Sequence, residues 1–395
     1  MNLEKKFEEV KEYIGEVEYL THAMVLVDWD TRTNMPIKAG ESRSKVLEYL
    51  SGQLFNMTTS PKVKTFIEEL TPYKNEMSLV QRRILEELER NYNEIMKIPE
   101  DRYVASVGAT SRAQIAWEKA KEANDYESFK PHLQTIIDFE KEFIDYWGYK
   151  DDKYNTLLDQ YERGLTVEKL DVIFSDLRDG LVEILEDIKK SSIKVDNDIL
   201  KGHFDAEKQK ELSLFILDKM GFDLEAGRLD VSVHPFTTNM GNKDVRLTTN
   251  YHEDEFTSAL FSTIHEGGHG IYEQNISDSL EYTGLNCGVS MAVHESQSRF
   301  YENIIGRNLS FWKKHYNKVC EILPSYSNIS LDKFYKGINS VEPSLIRIDA
   351  DELTYNLHVI IRFELEKALF SGNLEVKDLS TAWNDKMKEY LGIIP

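Results

Sequence analysis

The chain has 395 residues, with 48 Lys and Arg against 69 Asp and Glu and a formal net charge of −21. That balance argues against a surface built to grip phosphate, so no nucleic-acid partner is expected. Hydrophobic residues make up 41%, enough to fill a sizeable core. The two cysteines, Cys287 and Cys320, are too few for a disulfide scaffold and read as buried thiols in a reducing compartment.

The first residues, Met1-Asn2-Leu3-Glu4-Lys5-Lys6-Phe7, are charged and lack the apolar stretch of a secretory signal. The longest apolar run, Ala23 to Val27, falls far below the roughly 20 residues that span a bilayer. A cytoplasmic protein without a membrane partner is expected. Proline is scarce, and apolar residues recur at three- and four-residue spacing, which predicts a mainly α fold. In chain order the stripes run from Phe7 to Leu20, Arg43 to Leu54, Leu79 to Ile95, Tyr126 to Trp147, Leu170 to Ile188 and Ala206 to Met220. The pattern then changes, because Leu229 to His234 and Val245 to Thr249 alternate as strands do. A turn at Asn239-Met240-Gly241-Asn242 predicts a small antiparallel hairpin there. Helical spacing resumes over Asp254 to Tyr272, Gly288 to Ile305 and Leu353 to Leu369. Residues 1–395 read as one domain, with a soft boundary near 191–200.

The helix after the hairpin carries His265-Glu266-Gly267-Gly268-His269, a His-Glu-x-x-His pattern. Histidines four apart on a helix differ by about 40° in azimuth and one turn along the axis, so both imidazoles can reach one ion. Ordinary helix-surface histidines are the alternative. Each glycine costs about 1 kcal/mol relative to alanine within a helix, so close packing or substrate access must justify the pair. A third ligand is required to leave one position open for chemistry. Glu295, thirty residues after His265 on a returning helix, supplies the carboxylate; Glu302 and Glu273 are the other acidic residues within reach. Two His and one Glu prefer zinc, with cobalt or manganese as possible substitutes. Glu266 is then placed as the general base for water activated by the ion.

Several ordered motifs extend this pattern. Besides His265 to His269 and His294-Glu295-Ser296, the chain has His234-Pro235-Phe236, Asp244-Val245-Arg246-Leu247-Thr248 and Ile346-Arg347-Ile348-Asp349-Ala350-Asp351. Asp28-Trp29-Asp30-Thr31-Arg32-Thr33-Asn34-Met35-Pro36 lies near the start. Together they resemble the thermostable carboxypeptidase, or Taq carboxypeptidase, family of zinc metallopeptidases. The resemblance implies an elongated helical fold with a deep groove, a homodimer, and stepwise release of residues from peptide C-termini with broad side-chain tolerance. It also implies a C-terminal segment with a Gly-x-x-Gln-Asp-x-His-Trp motif, which this sequence lacks where it stops at Leu391-Gly392-Ile393-Ile394-Pro395. A fragment or a shortened form is therefore expected.

An exopeptidase needs an anchor for the free chain end, and a guanidinium binds a carboxylate in bidentate fashion. Arg246 and Arg347 are the candidates, each of which could instead pair structurally with Asp244 or Asp351. His234 either lines the groove, orients a carboxylate, or is a core histidine. The hairpin either offers an edge to an extended peptide or is purely structural. Asp349 and Asp351 either support the site or cap the following helix. Tyr355 and His358 on that helix carry no assigned role. The expected activity is that of a metallocarboxypeptidase acting on peptides with a free C-terminus. Its rivals are an endo-acting zinc oligopeptidase and an inactive chain that only binds metal or peptide.

Overall fold

The computed structural model describes residues 2–395, and the fold is mainly α with one small sheet. It divides into two compact units. The first comprises Met1–Tyr149, Thr238–Arg246 and Glu273–Val289, and the second Lys150–Thr237, Leu247–Tyr272 and Ser290–Pro395. The stretch 191–200, read from sequence as a soft boundary, lies inside the second unit.

The first unit is a helical assembly of α1 (Leu3–Thr33), α2 (Gly40–Thr58), α3 (Pro61–Leu70), α4 (Leu79–Ile95), α5 (Glu100–Ala123) and α6 (Tyr126–Trp147). Side-chain caps start several of them: Asn2 accepts from Lys5 N–H, Ser60 from Val63, and Ser78 with Gln81 closes a capping box on α4. Phe7, Val10 and Ile14 of α1 bury against Val63, Phe66 and Leu70 of α3 and Ile84 and Leu85 of α4. Burying a Phe, Leu or Ile of this kind contributes about 1.5–3 kcal/mol each, which is why these amphipathic helices fold together. The buried face of α5 is different, consisting of Gly108, Ser111, Ala113 and Ala120. Small side chains let α5 pack close to α2, where the Ser44 and Ser111 hydroxyls meet at 2.9 Å.

The second unit contains α7 (Tyr154–Tyr161), α8 (Val167–Lys190), α9 (Ala206–Met220), α10 (Thr257–Gln274) and α11 (Met291–Arg299). A widened π-type turn follows at Phe300–Gly306, then α12 (Leu309–Ile322), α13 (Leu331–Ile338), α14 (Thr354–Ser371) and α15 (Leu379–Leu391). Leu260, Phe261 and Ile264 of α10 bury against Leu212 and Ile216 of α9 and Trp312 and Val319 of α12. The azimuth of α10 is thereby fixed, and the two histidines follow Phe261 at four-residue steps along the edge of that buried face.

Three strands, β1 (Gly227–Val231), β2 (Thr237–Asn239) and β3 (Val245–Thr249), form a sheet in the order β1-β3-β2. The expected hairpin is present with a changed partner. It is β2, unforeseen from sequence, that turns back into β3 through the Met240 N–H bond to the Asp244 carbonyl. The strand read as Leu229 to His234 is β1, which ends at Val231 and lies on the other edge of β3. The Ser232 N–H bond to the Thr249 carbonyl joins the C-terminal ends of β1 and β3. Among the described residues no helix is long and apolar enough to cross a membrane. The expectation of two buried thiols needs correction: Cys287 is exposed and Cys320 only half-buried.

Candidate metal centre

The glycines of His265-Glu266-Gly267-Gly268-His269 answer a packing demand. A Cβ at Gly267 would stand 2.7 Å from Leu217 of α9, and one at Gly268 would stand 2.7 Å from the Ser298 backbone of α11. Gly270 is similarly pressed by Phe222 and Leu247. The close approach of α11 to α10 at Gly268 is what brings Glu295 to the histidines. Ser290 starts α11 by accepting from Val293 N–H at 3.2 Å.

Glu295 Oε2 lies 3.2 Å from His269 Nε2 and 3.6 Å from His265 Nε2. His265, His269 and Glu295 each present one ligand atom, and all three atoms lie within 4.8 Å of one another. Donors bound at about 2.0–2.1 Å around a tetrahedral ion stand roughly 3.3 Å apart, so the spacing suits one ion. The electrostatics agree. Burial opposes charge on His265, but hydrogen bonds to Glu295 and Glu302 outweigh it and carry its pKa up to about 9. Burial likewise opposes the charge on Glu295, and the two histidines overcome it, holding its carboxyl well below the usual carboxylate range. The constellation attracts positive charge, as a site for a divalent cation must.

Glu302 and Glu273 have other places. Glu302, buried within the widened turn, accepts a 2.8 Å hydrogen bond from His265 Nδ1, on the ring edge away from Glu295. That bond leaves Nε2 of His265 for an ion. Nδ1 of His269 is buried without a hydrogen-bond partner among the described residues. Glu273, on the last turn of α10, is buried in the first unit and accepts from Asn239.

Glu266 is 7% exposed, and Thr237 fixes it by donating at 2.6 Å to Oε2; the same hydroxyl stands 3.1 Å from the Glu266 backbone carbonyl. A cavity of about 70 Å³ is lined by His234, His265, Glu266, Arg299, Glu302 and Arg347. His234 is therefore an exposed cavity residue and not a core histidine, with Nδ1 at 2.8 Å from the Pro235 carbonyl. Arg347 reaches the same cavity, donates to the Tyr355 hydroxyl at 2.6 Å, and is half-buried. Asp351 is not its partner. That carboxylate caps the start of α14, accepting from the Leu353 and Thr354 amides and the Thr354 hydroxyl. Asp349 accepts from Ser258 at 2.8 Å. In the first unit, Arg246 forks onto Asp244 at 2.8 and 3.0 Å and stacks 4.6 Å from the Trp29 ring centre.

Sequence reading assigned nothing to Thr237 or Arg299. Arg299 follows Glu295 by four residues on a helix, a spacing that signals an ion pair. Thr237 stands 29 residues before Glu266, and only the fold brings the two together.

The model of the Carboxypeptidase Taq (M32) metallopeptidase family matches residues 9–395. Carboxypeptidase 1 of Bacillus subtilis is 44% identical over 389 residues, covering 98% of this chain and 78% of the relative. Thermostable carboxypeptidase 1 of Thermus thermophilus is 36% identical, covering 100% of this chain and 80% of its own length. Among solved structures, the BsuCP crystal structure superposes with a TM-score of 0.97 at 44% identity, over 99% of this chain and 79% of that one. Pyrococcus furiosus carboxypeptidase gives 0.90 at 35% identity, over 99% and 79%. With a family match along nearly its whole length and a His-His-Glu constellation of metal-holding geometry, this chain belongs to the Carboxypeptidase Taq (M32) metallopeptidase family and is a metallocarboxypeptidase.

Proposed function

We propose that His265, His269 and Glu295 hold a zinc ion and that Glu266 is the general base of a carboxypeptidase with broad side-chain tolerance. The observation that carries the reading is the convergence of both Nε2 atoms on a single oxygen of Glu295. Zinc bound there supplies Lewis-acid chemistry, polarising the scissile carbonyl and making water a nucleophile near neutral pH. The chain's own residues do the rest. Glu266, steadied through Oε2 by Thr237, accepts the proton of the attacking water at Oε1 and returns it to the nitrogen of the leaving residue. Arg347, on the cavity wall, binds the substrate's terminal carboxylate. Arg246 is the less available guanidinium, because Asp244 already occupies its fork. His234 contacts the peptide from the cavity mouth. Asp244 and Asp351 act by holding Arg246 and the start of α14. Cobalt or manganese would fit the same donors.

Peptides with a free C-terminus are the substrates. Broad tolerance is supported by the main-chain edge a small sheet can offer. The family resemblance supports a homodimer. The family match over 9–395 supports one catalytic domain. Mass spectrometry of a peptide and its C-terminally amidated twin, each incubated with zinc-loaded protein, tests the reading. A ladder shortening from the free end only, slowed about 10²–10⁴-fold by Glu266→Gln, is expected. Internal cuts in both peptides would establish an endopeptidase instead, and binding without cleavage would leave only a peptide-holding chain.

A further inference from the structure

Behind the three metal-holding residues lies a closed circuit of side chains. Arg299 Nε donates at 3.1 Å to Glu295 Oε1, the oxygen turned away from the histidines. Its Nη1 donates at 2.9 Å to Glu302 Oε2, the same oxygen that accepts from His265 Nδ1 at 2.8 Å. One guanidinium thus ties the outer oxygen of the carboxylate ligand to the carboxylate that orients a histidine ligand. Glu295, Arg299 and Glu302 follow one another at four and three residues, with Glu302 on the widened turn after α11. The cation itself is held, 3.4 Å from the centre of the Tyr355 ring, a close cation–π contact. Glu302 is 8% exposed on its side chain, and Arg307 Nη2 approaches its other oxygen at 3.8 Å.

The chemistry of this circuit is specific. With Oε1 occupied by Arg299, Glu295 turns Oε2 toward the histidines, where that oxygen also accepts from the Ser298 hydroxyl at 3.2 Å. With Nδ1 of His265 held at 2.8 Å by Glu302, that ring is turned with Nε2 toward Glu295 Oε2. His269 has no such support, so the orientation of the centre falls on the Arg299 side. A planar fork spans two carboxylates at once, which a lysine ammonium on a flexible stem does not.

We propose that Arg299 is a positioning residue for the metal centre: by bridging Glu295 and Glu302 it holds Glu295 with one oxygen toward the histidines and fixes the orientation of the His265 ring, so that these residues would hold an ion through Glu295 Oε2 and His265 Nε2. The inference rests on the zinc reading above. An ordinary ion pair that only fastens α11 is the alternative, and metal properties separate the two.

The test compares wild type, Arg299→Lys and Glu302→Gln. After chelator treatment, zinc affinity is measured by competition with a chromogenic chelator. The visible spectrum is recorded after cobalt loading, and the thermal midpoint is taken metal-free. Arg299→Lys should weaken zinc binding about 10–100-fold. It should also weaken and shift the cobalt bands as Glu295 turns bidentate, with a metal-free midpoint close to wild type. Glu302→Gln should move both metal readouts in the same direction. Unchanged zinc affinity and cobalt spectrum in Arg299→Lys overturn the inference, whatever happens to the midpoint. If that variant does not fold, Glu302→Gln decides by the same readouts. Failure of the underlying reading looks different: wild type and His269→Ala would then take up zinc equally.

Discussion

Where α5 crosses α2, a Cβ added at Gly108 would meet the Glu48 side chain, 1.7 Å from its Oε1; where α10 lies against α11, one added at Gly268 would meet the Ser298 backbone at 2.7 Å. Both crossings need a small residue, but the obstacles differ in kind. Glu48 ends in a carboxylate paired with Arg112 at 2.7 Å, and both side chains are partly solvated, at 27% and 39% exposure. It can swing aside. The Ser298 backbone cannot move without taking α11 and Glu295 with it. The same contrast holds for the charges: Glu48 answers to a nearby cation in a wet setting, whereas Glu302 is buried and shared between His265 and Arg299. A helix crossing in the first unit is built for cohesion, and its counterpart in the second sets ångström-scale distances between the side chains of the proposed metal centre.

The largest effect that would break this contrast is at Gly268. Gly268→Ala should cost about 3 kcal/mol, the upper part of the range for overpacking, because backbone must yield. It should also lower zinc affinity, read together by urea titration and chelator competition; a variant as stable and as metal-avid as wild type would remove the argument. Acid provides the next test. His358 is fully buried on α14, and burial, aided by Arg362, pushes its pKa down to about 4. The folded state then binds fewer protons than the unfolded one between about pH 4 and 6.5. Stability is therefore intact above 6.5 and declines as pH falls toward 4, by about 2–3 kcal/mol from this residue. His358→Leu should flatten that limb of the urea-midpoint profile, and parallel profiles would reject the account.

Smaller effects belong to the first unit. Arg112→Gln should change unfolding free energy by at most about 1 kcal/mol, because the pair it breaks is partly exposed and screened by salt. Gly108→Ala should be nearly neutral, the helix-propensity gain of about 1 kcal/mol offsetting the displaced Glu48. If Gly108→Ala proved as damaging as Gly268→Ala, the distinction between movable side chain and fixed backbone would fail.

Legibility in the sequence followed side-chain size and distance along the chain. The α4, α6 and α9 boundaries were readable to the residue, since large apolar side chains mark one face and capping residues mark the starts. Helix α5 was not, because its buried face is glycine, serine and alanine, which leave no apolar stripe. The second half of α1 was missed for a related reason: beyond Gly15 its only buried residue is Trp29. Strand β2, three residues long, is too short to show alternation. In the site, the pairing of His265 and His269 was legible because helix geometry converts sequence spacing into spatial spacing, and Glu295 because thirty residues suit a helix, a connection and a returning helix. Thr237 was not, since its partner lies across a sheet connection. Sequence also left Arg246 and Arg347 equivalent, and their neighbours now distinguish them.

The widened turn at Phe300–Gly306 has a consequence for how this stretch can change over time. Glu295, Arg299 and Glu302 meet their partners only because the chain between them winds through a fixed angle. Removing or adding one residue there would swing each following side chain by about 100° around the helix axis. Descendants of this sequence can exchange residue types along the solvent side of that segment, but they cannot alter the number of residues without parting Glu302 from His265.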